Sequence, residues 1–112
     1  MTARQTDIIA RIPIGVKNRI KSRDLCLMTE ANSSQIRSAV NAARKEGIPI
    51  GSDSEGYFVA LSPQDLAHSL RHMRSRIREI EMAMVGLEKA AVALMDYDEY
   101  EEFEVLKNAD KQ

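Results

Sequence analysis

Tryptophan is missing from this 112-residue chain, and its only aromatic residues are three Tyr and two Phe. With so few large rings the core must be aliphatic, which favours helices over a β-sandwich. Cysteine is almost absent as well. Cys26 stands alone, so no intramolecular disulfide can form, in keeping with a reducing, cytoplasmic setting. No run of about 18 apolar residues occurs, so no membrane span is expected. Residues 1–5 place no apolar stretch behind a basic start, so no secretory signal is expected. Phosphate-binding loops, nucleophile triads and paired-carboxylate sites are not visible either. His68 and His72 stand four apart, a spacing that can hold a metal, but no Glu intervenes and no third ligand is evident. The sequence therefore predicts a non-enzymatic protein with no metal and no cofactor.

What is present is a globular balance, 44% hydrophobic and 29% charged, at the length of one domain with an appendage. The net charge of −1 hides an asymmetry. Residues 1–48 carry nine Lys/Arg against four Asp/Glu, and residues 95–112 carry two against seven. A basic front half is what a phosphate-binding surface needs. An acidic tail is a solvated end or an arm for a protein partner.

Ile8, Ile9 and Ile12 predict a short amphipathic helix over Thr6 to Arg11, broken by Pro13 and Gly15. Ser22 can cap a second helix, Arg23 to Glu30, with Leu25, Cys26 and Met28 facing inward. Ala31-Asn32 forms a turn. Asn32 followed by Gln35 is a capping-box pattern that opens a third helix, Ser33 to Glu46. Gly47 sits where a left-handed helix terminus belongs. Ile48 to Ile50 and Tyr57 to Val59 read as strands around a six-residue turn, Gly51 to Gly56. Tyr57 and Phe58 point to opposite faces, one to the core and the other able to brace the helix that follows.

Ser62, Pro63 and Asp65 announce that helix. From there apolar residues recur at alternating spacings of four and three: Leu66, Leu70, Met73, Ile77, Ile80, Met84, Leu87, Ala91 and Leu94. A 3.5-residue period held this long predicts a dimeric coiled coil with those nine residues at the interface. Arg71, Arg74, Arg76 and Arg78 could form a nucleic-acid patch, but their heptad positions favour the dimer rim for Arg74 and Arg76. A parallel pair matches Arg76 with Glu81 of the partner subunit, and an antiparallel pair matches Arg74 with Glu88 of the partner subunit. Such contacts are worth only about 0.3–0.5 kcal/mol each, yet they set orientation. The parallel pair is expected. It holds the acidic tails far from the basic domains, so the tail should add nothing to DNA affinity.

The stretch LCLMTEANSSQIRSAVNAARKEGIPIGSDSEGYFVA, Leu25 to Ala60, resembles the winged helix–turn–helix domain at the amino end of biotin-ligase repressors. It looks closer still to small phage and prophage proteins carrying the same domain. The resemblance rests on Ile36-Arg37, on Arg44 to Ile50 with Gly47 between, on Ser52 to Glu55 and on Gly56-Tyr57, about a third of the chain. It implies a winged-helix fold and DNA binding. The ligase catalytic domain has no counterpart here, so no ligase activity is implied.

At about 100° per residue the third helix turns Ile36, Ala39, Val40 and Ala43 to one side. Ser34, Ser38, Asn41 and Lys45 fall on the other, flanked by Arg37 and Arg44, with no acid before Glu46. Asn and Arg suit base edges, and Lys, Arg and Ser suit phosphates. The expected DNA-binding set is Ser33, Ser34, Gln35, Arg37, Ser38, Asn41, Arg44 and Lys45, with Ser52 and Ser54 from the hairpin. Asp53 and Glu55 work against the hairpin's part, since carboxylates repel phosphate.

The expectation is a mainly α protein with a small β-hairpin. Residues 1–61 form a winged helix–turn–helix domain, residues 62–95 a long coiled-coil helix, and residues 96–112 a partly disordered acidic tail. The expected function is sequence-specific binding of double-stranded DNA by a homodimer, as in a phage-type transcriptional regulator. The alternative is a protein-interaction adaptor that keeps the fold without reading DNA.

Overall fold

A computed structural model describes residues 1–95 and 99–109. The chain is mainly helical, with one two-stranded antiparallel hairpin and one long helix. It divides into two compact units, Met1–Met73 and Arg74–Gln112. The first unit extends past the expected boundary at residue 61, because the opening turns of the long helix are bonded to the hairpin.

Helix α1 (Ala3–Ala10) begins earlier than its apolar periodicity suggested. Thr2 and Gln5 form a capping box: the Gln5 N–H donates to Thr2 Oγ1 at 3.1 Å, and the Thr2 N–H donates to Gln5 Oε1 at 2.9 Å. Helix α2 (Ser22–Thr29) starts at Ser22, which is therefore not its cap. Lys21 holds the cap position with no side-chain bond. Leu25 is buried, Cys26 packs half-buried against the core, and Met28 is 50% exposed rather than inward. Thr29 takes the inward place because four residues return a helix to nearly the same face. Its hydroxyl donates to the Leu25 carbonyl at 2.7 Å.

Helix α3 (Ser33–Lys45) opens on the expected capping box, with Asn32 and Gln35 exchanging two 2.9 Å bonds. It closes on Gly47 at φ +85°. The Gly47 N–H donates to the Arg44 carbonyl and the Ile48 N–H to that of Ala43, each at 3.0 Å, a Schellman closure. Ile36, Ala39, Val40 and Ala43 turn inward against Ile8, Ile12, Leu25 and Ile50. The buried cluster itself is aliphatic, as the shortage of aromatics suggests.

Strands β1 (Ile50–Asp53) and β2 (Gly56–Val59) pair Ile50 with Val59 and Asp53 with Gly56. The expected six-residue loop shrinks to Ser54-Glu55, because Asp53 and Gly56 are themselves paired and Asp53 Oδ1 accepts the Glu55 N–H at 2.8 Å. On its other side β2 bonds to the segment between α1 and α2. Ile20 and Tyr57 exchange backbone bonds of 2.9 and 2.8 Å, and Val59 binds Pro13 and Gly15 at 2.8 and 2.9 Å. Tyr57 packs against the core. Buried Phe58 lines a cavity of about 220 Å³ with Gln64, Asp65, His68 and Ser69.

Helix α4 (Pro63–Leu94) begins with reciprocal bonds between Ser62 and the Asp65 N–H at 3.4 Å and between the Leu61 N–H and Asp65 at 3.1 Å. In the second unit, α4 is followed by helix α5 (Glu99–Lys107). Residues 99–107 fall within the acidic tail expected to be partly disordered. They are helical, with Glu99, Glu101 and Glu102 in the first turn and Lys107 in the last, complementing the helix dipole. Lys107 reaches Glu104 at 3.0 Å and Glu88 of α4 at 3.5 Å, and it lies 5.6 Å from the Phe103 ring centre. The rest of the expected tail, residues 96–98 and 110–112, lies outside the described residues. No described helix is long and apolar enough to cross a membrane.

Candidate functional site

The outward side of α3 carries most of the residues its periodicity singled out. Ser33, Ser34, Gln35, Arg37, Ser38, Asn41 and Lys45 are all exposed. Neither Arg37 nor Lys45 makes an ion pair among the described residues. Glu46, just past the helix, faces the Met1 ammonium at 3.9 Å. Gln35 spends its carbonyl oxygen on the cap of α3, and its amide N–H groups remain as donors.

Arg44 and Ser52 have a different position. Arg44 is half-buried, and its Nε donates to the Ile50 carbonyl at 2.8 Å while Nη2 donates to Ser52 Oγ at 3.1 Å. Burial lowers the pKa of the guanidinium, an effect the Tyr57 phenol offsets in part. An arginine stays charged regardless. Two of its five donors therefore tie α3 to β1. Ser52 is bonded further: its N–H donates to Ser69 Oγ at 2.9 Å, and the Ser69 hydroxyl donates to its carbonyl at 2.9 Å. One serine on α4 thus satisfies both outward backbone groups of Ser52, whose cross-strand neighbour Tyr57 bonds to Ile20 instead. Arg44, Ser52 and buried Ser69 hold α3, the hairpin and the first turns of α4 in one frame. Ser54 alone of the two hairpin serines is exposed and unspent.

The hairpin side is charge-balanced. Arg19 pairs with Asp53 at 3.4 Å. Lys17, Arg19 and Lys21 share an open groove of about 620 Å³ with Asp24 and Glu55. The repulsion expected from the hairpin carboxylates is thus partly cancelled by cations that sequence reading did not single out. Arg4 was missed too. It lines a groove with Ser34, Gln35 and Ser38 of α3, and no local pattern marks a residue brought there by helix packing.

Along α4, most of the heptad seam is exposed: Leu70 58%, Ile77 56%, Ile80 56%, Met84 53%, Leu87 71% and Leu94 86%. Leu66 and Ala91 are half-buried and Met73 is 40% exposed. Leu66, Leu70 and Met73 also line a largely apolar groove of about 270 Å³ with Ile48, Pro49 and Ile50. His68 and His72 are exposed, and no group of three or more His, Cys, Asp or Glu suited to a metal gathers among the described residues. Compared with known proteins, the chain matches no family model, no curated protein and no solved structure.

Proposed function

We propose that this chain binds double-stranded DNA as a winged helix–turn–helix protein, that it works as a homodimer, and that it acts as a phage-type transcriptional regulator. One observation carries the reading. The exposed side of α3 presents Ser34, Arg37, Ser38, Asn41 and Lys45 with no carboxylate among them, on the helix that follows the turn and precedes the hairpin. In a domain of that order this helix enters the major groove, where Arg and Asn read base edges and Lys and Ser hold phosphates.

Exposed apolar residues at coiled-coil spacing support the homodimer, since a seam of this length open to water is costly. Support for parallel pairing comes from Lys107, which already holds Glu88 and so competes with the antiparallel match to Arg74. Arg76 and Glu81, the parallel match, have no ion pair of their own among the described residues.

The test is a salt titration of binding to duplex DNA. Arg37→Ala and Asn41→Ala should each cost about 1–3 kcal/mol on a selected site and relax its sequence preference. Lys45→Ala should weaken all sequences alike and lower the salt slope by about one per protomer. Unchanged binding in all three variants would remove α3 from the interface. A second reading, a protein-interaction adaptor, is favoured by the carboxylates Glu99, Glu101 and Glu102 on α5. An unmutated chain with no salt-dependent affinity for mixed-sequence duplex would leave the adaptor standing.

A further inference from the structure

We infer that the groove between α1 and α3 is a seat for one backbone phosphate of duplex DNA, with Arg4 as its cation. The inference rests on the DNA-binding reading and deepens it. The groove, about 210 Å³, is lined by Thr2, Arg4, Gln5, Ser34, Gln35 and Ser38, with Ile8 at its floor and no carboxylate in its wall. Its polar groups have been sorted by the two capping boxes. Thr2 Oγ1 accepts the Gln5 N–H, Gln5 Oε1 accepts the Thr2 N–H, and Gln35 Oε1 accepts the Asn32 N–H. Each of these side chains has an acceptor engaged and its own O–H or N–H groups left over. The Thr2 hydroxyl hydrogen and the two carboxamide NH₂ groups remain, beside the hydroxyls of Ser34 and Ser38.

The groove therefore offers donors and a positive charge to a ligand that can only accept, which is what a phosphodiester is. The guanidinium of Arg4 adds geometry as well as charge, since its fork can bind two phosphate oxygens at once. Arg4 is exposed and makes no ion pair among the described residues, so its donors are unspent. Ser34 and Ser38 belong to the outward side of α3. A strand of DNA lying along that side would bring its backbone over this groove while base edges meet Arg37 and Asn41. Arg4 then fixes the register of α3 on the duplex and carries no sequence information of its own.

The experiment measures binding to a mixed-sequence duplex by fluorescence anisotropy from 50 to 200 mM salt. Losing one phosphate contact lowers the slope of log affinity against log salt by about 0.9. Arg4→Ala removes one contact from each protomer, so for the proposed homodimer it should lower the slope by about 1.8 and weaken binding several-fold on every sequence alike, leaving base preference intact. Arg4→Lys should restore the slope. Lys89→Ala, which removes an equal charge from the second unit, should leave the slope unchanged. Arg4 is exposed, so the variant should fold, and its unfolding midpoint checks that. A slope in Arg4→Ala equal to that of the unmutated chain, with Lys45→Ala lowering it, overturns the phosphate seat alone. An unmutated chain with no affinity for duplex overturns the seat and the DNA reading together.

Discussion

Replacing Gly56 with alanine is expected to lower the unfolding midpoint of the Met1–Met73 unit by about 15 °C or more. Gly56 has φ +138°, a region that side chains rarely enter. A Cβ there would lie 2.9 Å from the Lys21 nitrogen and closer still to the Ile20 carbonyl oxygen. Neither obstacle is a flexible side chain. Ile20 is fixed by its two backbone bonds to Tyr57, so the added atom must push the segment before α2 away from β2. A forced positive φ costs of order 1–3 kcal/mol, and each lost backbone bond about 1 kcal/mol more. The total of about 3–5 kcal/mol is a large share of a small domain's stability, and at 4–8 °C per kcal/mol it gives the stated shift. Gly86 provides the contrast. Nothing lies within 4 Å of a Cβ at that position, and it sits inside α4. Gly86→Ala should stabilise the helix by up to about 1 kcal/mol. Thermal unfolding followed by circular dichroism reads both, and a Gly56→Ala midpoint within a few degrees of the parent would refute the steric account.

Ile77→Asp should convert the proposed dimer into monomers. Ile77 lies near the middle of the apolar seam and is 56% exposed in the single chain. A buried isoleucine is worth roughly 1.5–3 kcal/mol, and a two-fold interface loses two of them. At 1.4 kcal/mol per decade the dissociation constant rises by about 10² to 10⁴, before the cost of burying two facing carboxylates is added. Light scattering at micromolar concentration measures the mass of both proteins. A monomeric parent chain would end the dimer proposal. A dimeric variant would move the interface off the seam.

Features set by neighbours in the chain were legible, and features set by distant partners were not. Asn32 and Gln35 stand three apart and their cap was readable. The same spacing at Thr2 and Gln5 lies ahead of the isoleucine pattern, which by itself does not mark where α1 begins. The exposed residues of α3 followed from periodicity, since Ile36, Val40 and Ala43 fix which side is inward. Arg44 lay on the flank of that wheel. Its fate was decided by the Ile50 carbonyl and Ser52, six and eight residues away. Ser69 sat beside the heptad seam as an ordinary polar residue, and its partner lies 17 residues earlier. The pairing of β2 with Pro13, Gly15 and Ile20 is likewise non-local. Gly51 to Gly56 has the composition of a loop, and only the cross-strand register shows that four of its six residues belong to strands.

The Ser69 hydroxyl also makes the Ser52 amide a reporter of local opening. An outward-facing amide on the margin of a two-stranded hairpin would normally trade its proton with solvent almost as fast as in an unstructured peptide. Here Ser69 Oγ holds it at 2.9 Å. Deuterium can enter that position whenever the first turns of α4 lift from the hairpin, even while the strands stay joined. The Tyr57 amide, directly across the hairpin and bonded to Ile20, opens only when the segment before α2 departs. The ratio of the two exchange rates measures how often α4 detaches on its own, a sub-global event separate from unfolding of the whole unit.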